Sequence, residues 1–515
     1  MSRTAVLVVH GMGQQRPGET QRSLGEALAR PGDRCYLAPD RLTGRTDTHR
    51  VTIEGPAGHV AHVYEHYWSD RFQDTRLTTV VRWLLGLLVQ GGLEWRLGGR
   101  TAAVEWAIGI VAVLPYWIIA AASLASDDRA LGGFLDGVPA VGMVLGVVVG
   151  AFALTTLVAR SKWVAALIGV GAGAATALAT TDLDPPTAGV ATVVLLWAPL
   201  WLLAGASLRG MGPLAWVRIL LVVVAAMVAT FSMVEGEFVI GGLPGILTVL
   251  VVVVWLRHWL GDVARYLDAS PGNVAEADRL RRETTSLVAG ICADSHYDYD
   301  RVVVVAHSQG GFVAYDALQR VFQAWARDHA LDPEERAAVA ELDHELDGAS
   351  PESWAAGVAV LRRRMEAAED PWPVSTFITL GSPIAHAAGL LVPDEAHLEQ
   401  RLEARGLSSC PPRQYGEPAS IAYGTGSSMR LHHTSVFGVT EWVNVAFAHD
   451  LLGGPVNEGA LGGLAHDVVP GADRYEPTIL DFLRAFPHDG YWGPSRVQEE
   501  TDAVVALLRD RCGLG

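Results

Sequence analysis

Residues 302–318 read VVVVAHSQGGFVAYDAL. The valine run has the β-branched character of a buried strand, and Phe312, Val313, Tyr315, Ala317 and Leu318 suit a packed helix. Between the two halves a hydroxyl, Ser308, stands at a tight turn built largely of small residues. A strand that ends in such a turn and re-enters as a helix sets the expectation for the whole fold.

Four other stretches read as strands: TAVLVVHGMGQQ (4–15), GHVAHVYEHYW (58–68), VSTFITLGSPIAH (374–386) and TEWVNVAFAHD (440–450). Helical patterns separate several of them, among them NVAEADRLRRETTSLVAGICA at 273–293. Strands alternating with helices argue for an α/β domain with a mostly parallel sheet covered on both faces.

The 515 residues are half hydrophobic and only 18% charged, with a formal net charge of −17. Such an acidic balance argues against a nucleic-acid binder, which needs a basic surface. The four cysteines, Cys35, Cys292, Cys410 and Cys512, form no CxxC pair, so neither a zinc site nor a thioredoxin-like motif is indicated. The start, MSRTAVLVVHGMGQQ, has too short an apolar stretch for a signal peptide and reads as a strand entering a loop.

Mean hydropathy is +0.24, and the excess is local. From 103 to 260 the chain is nearly uncharged. A membrane-crossing helix needs about 20 mainly apolar residues, and this tract divides into six such stretches, at 104–125, 135–158, 163–180, 187–207, 214–234 and 238–259. Basic connections (Arg160 and Lys162; Arg209 and Arg218; Arg257 and Arg265) alternate with acidic ones (126–130, 180–186, 235–237). That alternation fits an even number of crossings with both soluble flanks in the cytoplasm. The expectation is a multi-pass protein of the cell membrane, with residues 101–262 as an inserted all-α transmembrane bundle between 1–100 and 263–515. The apolar segment 80–95 is too short to cross and fits an interfacial or a core helix equally.

VVHGMG, VVVVAHSQGG, TLGSP, WVNVAFAHDLLGGPV and PHDGYW, in that order, resemble an α/β-hydrolase of the lipase/esterase kind. The resemblance covers most of the chain outside the apolar tract and implies a serine hydrolase. Its nucleophile pattern G-x-S-x-G stands here as Ala306-His307-Ser308-Gln309-Gly310, with alanine at the first position, where strand and helix backbones approach closely. The resemblance makes Ser308 the nucleophile, Asp450 the acid and His488 the base, with Asp467 as the alternative acid. His466, His449, His432 and His433 are alternative bases. The oxyanion would be held by the backbone N–H groups of Gln309 and Met12, supported by His10, Gly11, His307 and Gly310. The His432-His433 pair lacks the spacing of a metal site, and nothing calls for a metal or cofactor.

The acidic stretch 331–370 fits either a lid over the site or a solvated helical hairpin, and 394–430, rich in Pro, Ser and Gly, reads as a long loop. The function expected is therefore a membrane-anchored hydrolase of carboxylic esters, its partner a lipid or small-molecule ester. The alternative is a non-catalytic membrane scaffold that keeps the hydrolase shape.

Overall fold

The computed structural model describes residues 2–11, 15–43, 49–56, 58–69, 266–267, 271–346, 348–366, 368, 370–392, 395–447, 450, 452–457, 459, 461–470, 488–493 and 495–515. The chain divides into two compact units, one of residues 1–80 with 258–515 and one of 81–257. All described residues belong to the first.

In chain order its elements begin with β1 (Arg3–Val9), α1 (Glu19–Leu28), β2 (Arg34–Pro39), β3 (His49–Glu54) and β4 (Val60–His66). They continue through α2 (Pro271–Cys292), β5 (Arg301–His307), α3 (Gly310–Asp328), α4 (Pro333–Glu345), α5 (Pro351–Met365) and β6 (Val374–Leu380). The last are α6 (Glu395–Glu403), β7 (Ala422–Tyr423), β8 (Arg430–Leu431), β9 (Glu441–Val445), β10 (His466–Val468) and α7 (Gln498–Arg511).

Eight strands form one sheet in the order β10-β9-β6-β5-β1-β4-β3-β2. The six from β10 to β4 run parallel, and β3 and β2 add an antiparallel edge. Parallel strands buried on both faces need continuous apolar sequence. Ala5 to Val9 and Val302 to Ala306 meet that need, each almost wholly buried.

Alternate residues serve the two faces. Val6, Val8, Val303, Val305, Ile378 and Val443 share one cluster with Leu24 and Leu28 of α1 and Val504 and Leu508 of α7. On the other face Tyr315 of α3, Phe377, Phe437 and Trp442 pack ring against ring, with centroids 4.7 to 6.2 Å apart. The C-terminal helix is tied back to the start of the chain by Arg509, 3.0 Å from Asp33 in a buried ion pair, and by its hydrogen bond to the Leu28 carbonyl.

The chain leaves β1 toward β4 on one side and returns to β5 on the other. Ligand sites in open parallel sheets lie at such a reversal, outside the carboxyl ends of the strands. Here that crevice lies beyond Val9 and His307.

One sequence expectation is overturned. Among the described residues no helix is long and apolar enough to cross a membrane. The six expected spans and the segment 80–95 lie outside the described residues. Among the described residues the fold is accordingly a mixed, mostly parallel sheet with helices, and the expected hydrolase domain interrupted by a six-helix transmembrane bundle is not supported. The integral-membrane assignment and the multi-pass location fall with the bundle. The physical reason is that an apolar run reports only that side chains leave water, and hydropathy does not say whether lipid or protein receives them.

Residues 331–370 form the helical hairpin α4–α5. Each helix starts with a capping box, Asp332 with Glu335 and Ser350 with Ser353. Trp354, Val358, Leu361 and Met365 of α5 are buried, and the helix packs on β9 and β10.

Candidate active site

The turn after β5 holds Ser308 at φ +53°, a left-handed conformation that costs a non-glycine residue energy and persists only where its surroundings enforce it. The Ser308 N–H donates to the Leu380 carbonyl (2.9 Å), and its own carbonyl accepts from Gly311 (3.0 Å). Glycine is required on both sides of this turn. A Cβ on Gly310 would press on the Val9 and His10 carbonyl oxygens, the latter at 2.7 Å, and one on Gly11 would lie 2.6 Å from Ser308 Cβ. Ser308 is 1% exposed, and its Oγ hydrogen-bonds to none of the described residues, His488 included. Gln309 stands at the N-terminus of α3, the end at which the helix dipole favours negative charge.

Asp450 and His488 meet at the end of β9. His488 Nδ1 lies 2.9 Å from Asp450 Oδ1 and 3.0 Å from Oδ2. A carboxylate can only accept, so Nδ1 carries the proton and Nε2 is left as the basic nitrogen. Three further donors hold the carboxylate: Leu452 N (2.9 Å) and Gly453 N (3.1 Å) on Oδ1, and the Tyr491 hydroxyl (2.6 Å) on Oδ2. Burial pushes the Asp450 pKa upward, but the His488 charge and these hydrogen bonds outweigh it, and the net shift is downward. For His488 burial pulls downward, and the Asp450 charge and hydrogen bond reverse it, raising the pKa above its ordinary 6.5.

His307 links the two parts. Its Nε2 donates to the His488 carbonyl at 2.9 Å, with ring centroids 4.8 Å apart. Burial, reinforced by His488, lowers the His307 pKa to about 3, so the ring stays neutral. His307 thus positions the segment that carries His488 beside the residue next to Ser308. His10 has a comparable task at the end of β1. Its Nε2 accepts from Trp68 N (3.0 Å), which leaves the proton on Nδ1 to donate to Gly11 O (2.7 Å). The ring stacks on Trp68 with 3° between planes.

The alternatives separate from this group. Asp467, on β10, accepts from Asn444 Nδ2 (2.5 Å), Val456 N (3.1 Å) and Asn457 N (2.7 Å), and Asn444 also holds the Gly454 carbonyl (2.9 Å). It pins the loop that follows Asp450. His466 precedes it on β10. His432 stacks on Tyr423, and His433 bonds the Arg405 carbonyl. Met12 and His449 lie outside the described residues. No group of His, Cys, Asp or Glu suited to a metal ion occurs among the described residues.

Tyr491 follows His488 in the stretch PHDGYW, where the sequence gives it no role of its own. The structure adds its role: fully buried, it stacks on Phe447 at 4.4 Å, accepts from Phe447 N (3.1 Å) and donates to Asp450. Chemically the arrangement offers an oriented base and a hydroxyl on a strained turn at a helix N-terminus.

The chain matches no protein-family model, no curated protein and no solved structure. The resemblance to the α/β-hydrolases is therefore corrected to what the topology itself defines, an eight-stranded mostly parallel sheet with helices. Motifs five or six residues long report a strand–turn–helix junction, which unrelated sheets also build.

Proposed function

We propose that this chain is a serine hydrolase that cleaves carboxylic esters through an acyl-enzyme intermediate. The observation that carries the reading is the buried Asp450–His488 pair, its tautomer fixed with Nε2 basic, joined through His307 to the turn that bears Ser308. His488 Nε2 takes the proton of Ser308 Oγ as that oxygen attacks the ester carbonyl. The charge developing on the carbonyl oxygen falls near the Gln309 amide. The tetrahedral species collapses, the leaving alkoxide takes the proton from His488, and the acyl group remains on Ser308. Water, deprotonated by the same nitrogen, then releases the acid and restores the serine. Ser308 Oγ and His488 Nε2 are not hydrogen-bonded to each other in this structure, and such contacts commonly tighten in the substrate complex.

The test is hydrolysis of p-nitrophenyl esters by the purified chain beside Ser308→Ala. Turnover by the parent that the variant lacks supports the reading. Equal turnover by both proteins, or none by either across a range of acyl lengths, removes it.

A further inference from the structure

We propose that two copies of this chain associate edge to edge through β2, antiparallel, with Leu37 opposite the second copy's Leu37. The sheet has two edges of different character. β10 is three residues long, and shortness is one way in which edges are kept from pairing. β2 has six residues and borders β3 on one side only, so its outer backbone groups face no strand among the described residues.

Pro39 at the end of β2 lacks an N–H and Arg34 at its start is charged, both guards of an edge, but between them no lysine or bulge interrupts the strand, and Tyr36 (41%) and Leu37 (46%) are among the most exposed large apolar side chains of the described residues. A two-fold pairing of like strands also requires self-complementary sequence. Residues 34–40 read RCYLAPD, basic at one end, acidic at the other and apolar between. Centred on Leu37, antiparallel pairing puts Arg34 opposite the second copy's Asp40 at both ends, and opposite charges across a strand pair attract. Arg34 pairs with Glu54 of its own chain at 3.1 Å, but its side chain is 78% exposed, and so exposed a pair holds it weakly enough to exchange partners. Tyr36 would face Ala38, large against small. The result is one continuous sheet across both copies.

The register gives a sharp test. In this pairing residue 37 meets its own counterpart with Cα atoms about 4.5–5.5 Å apart, within disulfide reach. Cys35 lies four residues from its counterpart along the strands, more than about 13 Å. The full chain should sediment as a dimer. Leu37→Lys, which opposes two like charges at an exposed position, should weaken association about two- to fivefold, and melting curves taken at concentrations where both proteins are monomeric should coincide. Leu37→Cys in a Cys35→Ser background should oxidise to a covalent dimer, and the parent, which has Cys35 but no cysteine at 37, should not. A monomeric parent, a dimer unaffected by Leu37→Lys, or a disulfide through Cys35 in preference to residue 37 overturns the proposal. None of these outcomes touches Ser308 chemistry, so the proposal and the proposed activity fail separately.

Discussion

Replacing Asp450 with asparagine tests the site where its geometry is most demanding. The carboxylate receives four donors: His488 Nδ1, Leu452 N, Gly453 N and the Tyr491 hydroxyl. An amide offers one acceptor oxygen, and the two backbone N–H groups on Oδ1 cannot turn away, so the amide oxygen must occupy that position. The amide NH₂ then lies where Oδ2 was, 3.0 Å from His488 Nδ1, and its proton favours the imidazole tautomer with Nδ1 unprotonated. Nε2 then carries the proton and cannot serve as base. Loss of the correct tautomer together with the stabilising charge costs about 10³–10⁴ in kcat in serine hydrolysis, about 4–5.5 kcal/mol of barrier. The pH profile has a definite sign. The carboxylate favours imidazolium and holds the His488 pKa above 6.5, so the parent's acid limb should lie above that value and activity should rise as pH passes through it. The asparagine variant loses the charge, and its acid limb should move to lower pH. The assay is kcat/KM for a p-nitrophenyl ester from pH 5 to 9. A variant within about threefold of the parent, or an acid limb displaced upward, refutes the reasoning.

Three further substitutions test neighbouring parts of the account. Tyr491→Phe removes a hydrogen bond to a charged group and leaves the Phe447 amide without its acceptor, so chemical denaturation should register a loss of about 1.5–3 kcal/mol. Gly310→Ala drives a Cβ against backbone oxygens that cannot give way, and thermal melts should show about 1–3 kcal/mol of destabilisation. Glu65 is 6% exposed, and burial pushes its pKa from 4.5 to about 7 against the lowering influence of Thr20 and the nearby amides of α1. Because the folded pKa is the higher one, folding is penalised once Glu65 must ionise. Stability should fall as pH rises from about 4.5 to about 7, by up to about 3 kcal/mol. Glu65→Gln should therefore raise the melting temperature at pH 8 and leave it nearly unchanged at pH 4, and an equal effect at both pH values contradicts the assignment.

Five of the six parallel strands were legible because burial on both faces forces apolar, often β-branched runs, as in 302–306, whereas β10, three half-buried residues, was not. β2 was not, because RCYLAP lies at an edge where exposure relaxes the pattern, and β3 was not, because its buried residues Val51 to Ile53 are a short run between charged or polar ends in HRVTIE. α6 hid in a stretch read as loop, since its neighbours are rich in Pro, Ser and Gly while its own nine residues carry a weak apolar face. The Ser308 turn could be read from Gly310 and the strand before it. Asp450 and His488 could be named from short motifs, but the choice between Asp450 and Asp467 depends on which carboxylate the chain folds toward His488, a non-local fact. The Tyr491 clamp was invisible for the same reason, because its partners lie 41 and 44 residues away. The apolar tract misled most, since its composition records avoidance of water and nothing about what replaces it.

The most direct measurement is intact mass and peptide mapping after treatment with a fluorophosphonate, which phosphonylates serines activated by a neighbouring base. The account predicts one adduct per chain, on the peptide carrying Ser308, absent in Ser308→Ala and formed far more slowly in Asp450→Asn. A parent that takes up no label, or takes it up at another residue, contradicts it.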